Sequence, residues 1–118
     1  MTVYVQGRGP ALLLVHSINA AASAAEMRPL HERAAATHTV FTPDLPGYGL
    51  SDRSDRAYSP RLYTDALHQV MQAVHARCGD APVPAVGLSL GCEFLARAAV
   101  ERPADYARLA LISPTGFM

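Results

Sequence analysis

The stretch Gly87-Leu88-Ser89-Leu90-Gly91 sets a serine between two glycines where an apolar run meets an amphipathic one. The preceding run, Ala81-Pro82-Val83-Pro84-Ala85-Val86, is short, apolar and bounded by prolines, so it reads as a buried strand. The run that follows, Cys92 to Glu101, is rich in alanine and reads as a helix. A strand, a one-residue turn and a helix force Ser89 into a positive-φ backbone. Strand and helix then approach so closely that small residues are needed two positions before and after the serine. The hydroxyl is lifted clear of the backbone, and the helix N-terminus behind it favours developing negative charge. This is the geometry of a nucleophile elbow. By itself the pentapeptide also reads as a glycine-flanked turn serine; the strand before it and the helix after it favour the elbow.

Working outward, apolar runs of strand length alternate with helical patterns. Thr2 to Val5 alternates as a strand and ends at Gly7 and Gly9-Pro10, a turn. Ala11 to Val15 is a continuous apolar run, as expected of a strand covered on both faces. Ser23-x-x-Glu26 is a capping-box candidate, and Met27, Leu30 and Ala34 follow at helical spacing. Pro29 also allows a start nearer itself. His38 to Thr42 is the next strand, and Ser51 to Ser59 a polar loop. From Pro60, an acceptable first helical residue, Leu62, Ala66, Leu67, Val70, Met71 and Val74 define an apolar face to about Arg77. After the Ser89 helix, Leu109 to Ile112 is a last apolar strand, which Ser113-Pro114-Thr115-Gly116 leaves. Helices between buried strands predict an α/β fold, a mostly parallel sheet covered on both faces, in a single unit spanning residues 1–118.

Composition narrows the function classes. With 118 residues, 50 % of them hydrophobic and 17 % charged, the chain is a globular domain with a modest core and not a disordered segment. Ten basic and ten acidic residues are spread along it. No basic stripe argues for nucleic acid, and no polybasic cluster argues for a membrane surface. Cys78 and Cys92 lack C-x-x-C spacing and read as thiols of a reducing compartment, so a cytoplasmic location is expected. Ala11 to Ala25 superficially resembles a signal-peptide core, but His16, Ser17 and Asn19 interrupt it. No run is long enough to span a bilayer. Gly7-x-Gly9 lies between two predicted strands without a third glycine at a helix start, and Gly47-x-Gly49 is followed by a polar loop, which disfavours dinucleotide binding; no cofactor or metal is expected.

Three stretches in order resemble the α/β-hydrolase superfamily, serine-nucleophile branch, over the family's N-terminal half. Leu12 to His16 with Ser17-Ile18-Asn19 resembles the strand and His-Gly loop that supplies an oxyanion donor. Asp44-Leu-Pro-Gly-Tyr-Gly-Leu-Ser-Asp52 resembles the family's loop after the next strand, and Gly87 to Gly91 with Leu109 to Pro114 matches the elbow and the strand that follows. The resemblance implies that Ser89 is a nucleophile forming a covalent acyl intermediate on an ester, thioester or similar small-molecule acyl substrate. It implies oxyanion donors at the backbone N–H of Leu90 and of Ile18, with Ser17 the less favoured choice for the second; the family usually carries glycine where Ser17 stands, a departure that bears on this second donor. Asp44 is expected to satisfy loop backbone donors and not to act in the chemistry.

A serine needs a base, and the base an orienting acid. No histidine follows Ser89, and the later carboxylates Glu93, Glu101 and Asp105 lie on the helix behind the serine or in the return loop. His68 and His75 read as solvated residues on a polar helix face. His31 and His38 flank a helix–strand junction, and His16, at the carboxyl end of a strand, reads as a loop anchor. The expectation is therefore the N-terminal half of a longer hydrolase, with its triad acid and histidine outside these residues. The alternative is a non-catalytic α/β module that binds a ligand or partner. A sheet stopped at the last strand would also leave an apolar edge open to self-association.

Overall fold

Each expected strand joins one sheet, and each helical pattern becomes a helix laid over it. The computed structural model describes residues 1–18, 22–49 and 59–113. In chain order the elements are β1 (Val3–Gln6), β2 (Ala11–Val15), a 3-10 turn (Ala24–Met27), α1 (Arg28–Ala34) and β3 (Thr39–Pro43). Then come α2 (Pro60–Cys78), β4 (Val83–Leu88), α3 (Gly91–Glu101), a second 3-10 turn (Pro103–Asp105) and β5 (Tyr106–Ile112). Asn19, Leu50 to Tyr58 and Pro114 to Met118 lie outside the described residues, and with them most of the expected polar loop.

The strand order is β1-β3-β2-β4-β5. β1 runs antiparallel to β3, and every other pairing is parallel, as expected. Alternation along the strands divides the core between the two faces. Leu13 and Val15 point to the side where α2 and α3 bring Leu67, Val70, Val74, Leu95 and Ala98. Leu14 and Val40 point to the other, where Met27, Leu30 and Ala34 cover them. The sheet is thus buried on both sides, which is why its central strands read as unbroken apolar runs.

Several boundaries differ from the sequence reading. β5 begins at Tyr106, not Leu109, because buried Tyr106 pairs with Val83 while Arg108 points outward from an edge strand. Ser23 caps the 3-10 turn, its side chain accepting from the Ala25 N–H at 3.1 Å, and α1 starts at Arg28 with Pro29 in its first turn. The capping box does not close, because Glu26 turns away to Ser17. α2 begins at Pro60 behind Ser59, whose side chain accepts from the Leu62 N–H at 3.2 Å. Among the described residues no helix is long and apolar enough to cross a membrane.

Candidate active site

The parallel register places Val15 opposite Gly87 and Leu88 opposite Ile112, so β2, β4 and β5 end together. At that end Ser89 sits between β4 and α3 with φ +54°, the left-handed conformation that a strand–turn–helix junction imposes. Its N–H donates to the Ile112 carbonyl at 2.8 Å, and its own carbonyl accepts from the Cys92 N–H at 3.0 Å. The backbone is pinned while Ser89 Oγ has no hydrogen-bond partner among the described residues. The flanking glycines have the role their spacing suggested. A Cβ on Gly87 would lie 3.2 Å from the Cys92 Cα and the Leu95 side chain, and one on Gly91 would overlap the His16 carbonyl oxygen.

That close approach sets the His16 carbonyl against the start of α3. His16 is fully buried. Its Nε2 accepts from the Leu45 N–H at 3.0 Å, so Nδ1 carries the proton and donates to the Ser17 carbonyl at 2.5 Å. Burial pushes the imidazole below its ordinary value, partly offset by the Ser17 hydrogen bond and the Glu26 and Asp44 carboxylates. Both ring nitrogens are occupied, and His16 anchors the loop as the sequence suggested. Ser17 donates through its N–H and its hydroxyl to Glu26. The N–H groups of Ile18 and Leu90 have no acceptor among the described residues. The junction therefore offers a strained serine followed directly by an unclaimed backbone donor, and the Ile18 N–H is unclaimed on the loop that follows β2.

Asp44 is buried beneath this loop. Its carboxylate accepts from the Ala24 N–H at 2.8 Å, its N–H donates to the Thr2 carbonyl at 2.8 Å, and Gly49 passes so close that a Cβ there would overlap it. It satisfies loop donors, as expected. His16, Tyr48, Tyr63 and Phe94 form a tilted aromatic row, with successive centroids 5.4, 6.3 and 5.0 Å apart.

The other four histidines are also engaged. His31 is buried with Nδ1 2.7 Å from Thr42 Oγ1, and His38 Nδ1 lies 2.8 Å from Thr37 Oγ1. The reading of His68 and His75 as solvated is corrected. His68 is 6 % exposed and its Nε2 lies 2.8 Å from Glu101, while His75 is half-buried and 3.9 Å from Asp105. α3 and the turn after it lie over α2, so the buried arc of α2 is wider than its apolar stripe. Periodicity within α2 could not reveal this. Sequence reasoning also missed Glu26; a carboxylate ten positions after the His16 strand end was its only signal. No group of three or more His, Cys, Asp or Glu side chains able to hold a metal converges among the described residues.

Known proteins place the chain. The model of the alpha/beta hydrolase fold matches residues 10–118. A pimeloyl-acyl-carrier-protein methyl ester esterase of Xylella fastidiosa is 37 % identical over 103 residues, 87 % of this chain and 36 % of the relative. An uncharacterized protein of Mycobacterium tuberculosis is 31 % identical over 95 % of this chain and 31 % of its own length. This chain thus spans about a third of the curated relatives it matches. Among solved structures, an N-formylmaleamic acid deformylase of Pseudomonas putida superposes with TM-score 0.79 at 27 % identity, over 95 % of this chain and 42 % of that one. A serine hydrolase involved in carbazole degradation superposes at 0.87 and 23 % identity, over 98 % and 44 %, a likeness of fold.

Proposed function

The chain belongs to the alpha/beta hydrolase fold family, and on that premise we propose that it carries the nucleophile of a serine hydrolase acting on small-molecule acyl esters or thioesters. Ser89 Oγ attacks the acyl carbon as a base takes its proton, and the carbonyl oxygen becomes an oxyanion held by the N–H groups of Leu90 and Ile18. Collapse expels the alcohol or thiol with that proton and leaves the acyl group on Ser89. Water then attacks the acyl-serine, releasing the acid and restoring the hydroxyl. The observation that carries this reading is the positive φ of Ser89 at the β4–α3 junction, with Leu90 N–H unclaimed beside it. The ester preference is supported by the relative named as a methyl ester esterase.

The base and its acid are proposed to come from outside these 118 residues. All five histidines of the chain are described, and each has a partner elsewhere. A fluorophosphonate probe tests the assignment on the full-length protein. Labelling that disappears in Ser89→Ala is expected; labelling that survives the substitution assigns the nucleophile elsewhere. The same engaged histidines favour a second reading, a non-catalytic module that binds a ligand or partner, and a folded full-length protein that takes up no probe would select it.

A further inference from the structure

We propose that Glu26 is a positioning residue that holds the oxyanion loop in register with Ser89. The inference rests on the serine-hydrolase reading. Two consecutive peptide planes open the loop after β2. The first, His16–Ser17, has its carbonyl packed against Gly91 and is held at its N–H by Glu26 Oε1 at 3.1 Å. The second, Ser17–Ile18, is pinned at its carbonyl by the His16 ring at 2.5 Å. A peptide is planar and trans, so fixing that carbonyl aims the Ile18 N–H the opposite way. Among the described residues nothing accepts it.

Glu26 reaches this loop from the 3-10 turn. Its two carboxylate oxygens also lie 2.7 and 2.9 Å from the Ser17 hydroxyl. The turn is tied to the sheet through Ala24 N–H and the buried Asp44. Ser17 is 2 % exposed while Glu26 is an exposed residue, so the carboxylate reaches in from the surface to satisfy the donors of a buried serine. Removing Glu26 takes the acceptor from both the N–H and the hydroxyl of buried Ser17, and the loop must turn to replace it. The Ile18 N–H would turn with it. The carboxylate also claims the Ser17 N–H, which leaves Ile18 as the donor of this loop among the described residues.

The test uses the full-length protein with a short-chain p-nitrophenyl ester and a fluorophosphonate. Glu26→Ala is expected to lower kcat on the order of 10- to 100-fold with KM little changed, because the donor serves the transition state. The labelling rate should fall in proportion. Glu26→Gln, whose Oε1 still accepts from both Ser17 groups, should restore most of the rate. Glu26→Met, close to isosteric, replaces the alanine variant if that one fails to fold. Unchanged labelling and kcat in the alanine or methionine variant would overturn the proposal, as would a rise in KM alone, a glutamine variant as slow as alanine, or loss of the fold in both. Wild-type protein labelled only at Ser89 keeps the serine reading intact in each of those cases. Absent labelling, or labelling that survives Ser89→Ala, removes both.

Discussion

At Gly91 the space for a side chain is already occupied by the His16 carbonyl, whereas at Gly87 the nearest atoms leave 3.2 Å. Gly91→Ala is therefore expected to cost about 1–3 kcal/mol or more, and Gly87→Ala less, as overpacking that a flexible leucine can partly relieve; urea unfolding of the two variants checks the order. A second expectation concerns acid. Burial holds the imidazoles of His16 and His31 below their ordinary 6.5. Both favour the neutral form when folded, so the stability they contribute is complete above about pH 6.5 and declines as pH falls through the folded values. The urea midpoint should drop between about pH 7.5 and 5.5, and His31→Gln should flatten the slope; a midpoint rising into acid would contradict it. Ser89 was legible in the sequence because its neighbours alone dictate its backbone. The tautomer of His16 was not, because its partner Leu45 is 29 residues away.

Element boundaries depend on both local and distant groups. Ser59 caps α2 from within the chain's own turn, and Ser59→Ala should cost about 1 kcal/mol of stability, measurable by thermal or urea unfolding. The far side of α2 depends on α3. Arg61 grips both Glu101 oxygens, at 2.5 and 2.6 Å, and His68 lies 2.8 Å from one of them. Hydrogen bonds from Arg61 and then His68 hold the Glu101 carboxyl at about 2, below its ordinary 4.5. Its contribution is present above about pH 4.5 and lost as pH falls toward 2, a window separate from that of the histidines. Glu101→Ala should lower the urea midpoint more than Arg61→Ala, because it also strips a partner from buried His68; equal effects would place the histidine outside the clasp. The helical repeat of α2 marked its apolar stripe correctly but could not show that a second helix covers His68.

Among the described residues the sheet has β5 at an edge, paired to β4, with Leu111 and Ile112 exposed. An open strand edge with apolar side chains templates further pairing. For this 118-residue chain produced by itself, sedimentation velocity should show self-association that Ile112→Lys reduces; a monomeric unsubstituted chain would contradict the expectation. The alternation of buried strands with helices, and the strained serine between two glycines, were determined by the sequence itself, because periodicity, proline and glycine act within a few residues. The order β1-β3-β2-β4-β5, the burial of His68, the grip of Glu26 on Ser17 and the unclaimed N–H of Ile18 were decided only by the tertiary structure. Each depends on which distant segment supplies a hydrogen-bond partner or excludes water, and that is settled when the sheet assembles and its helices pack.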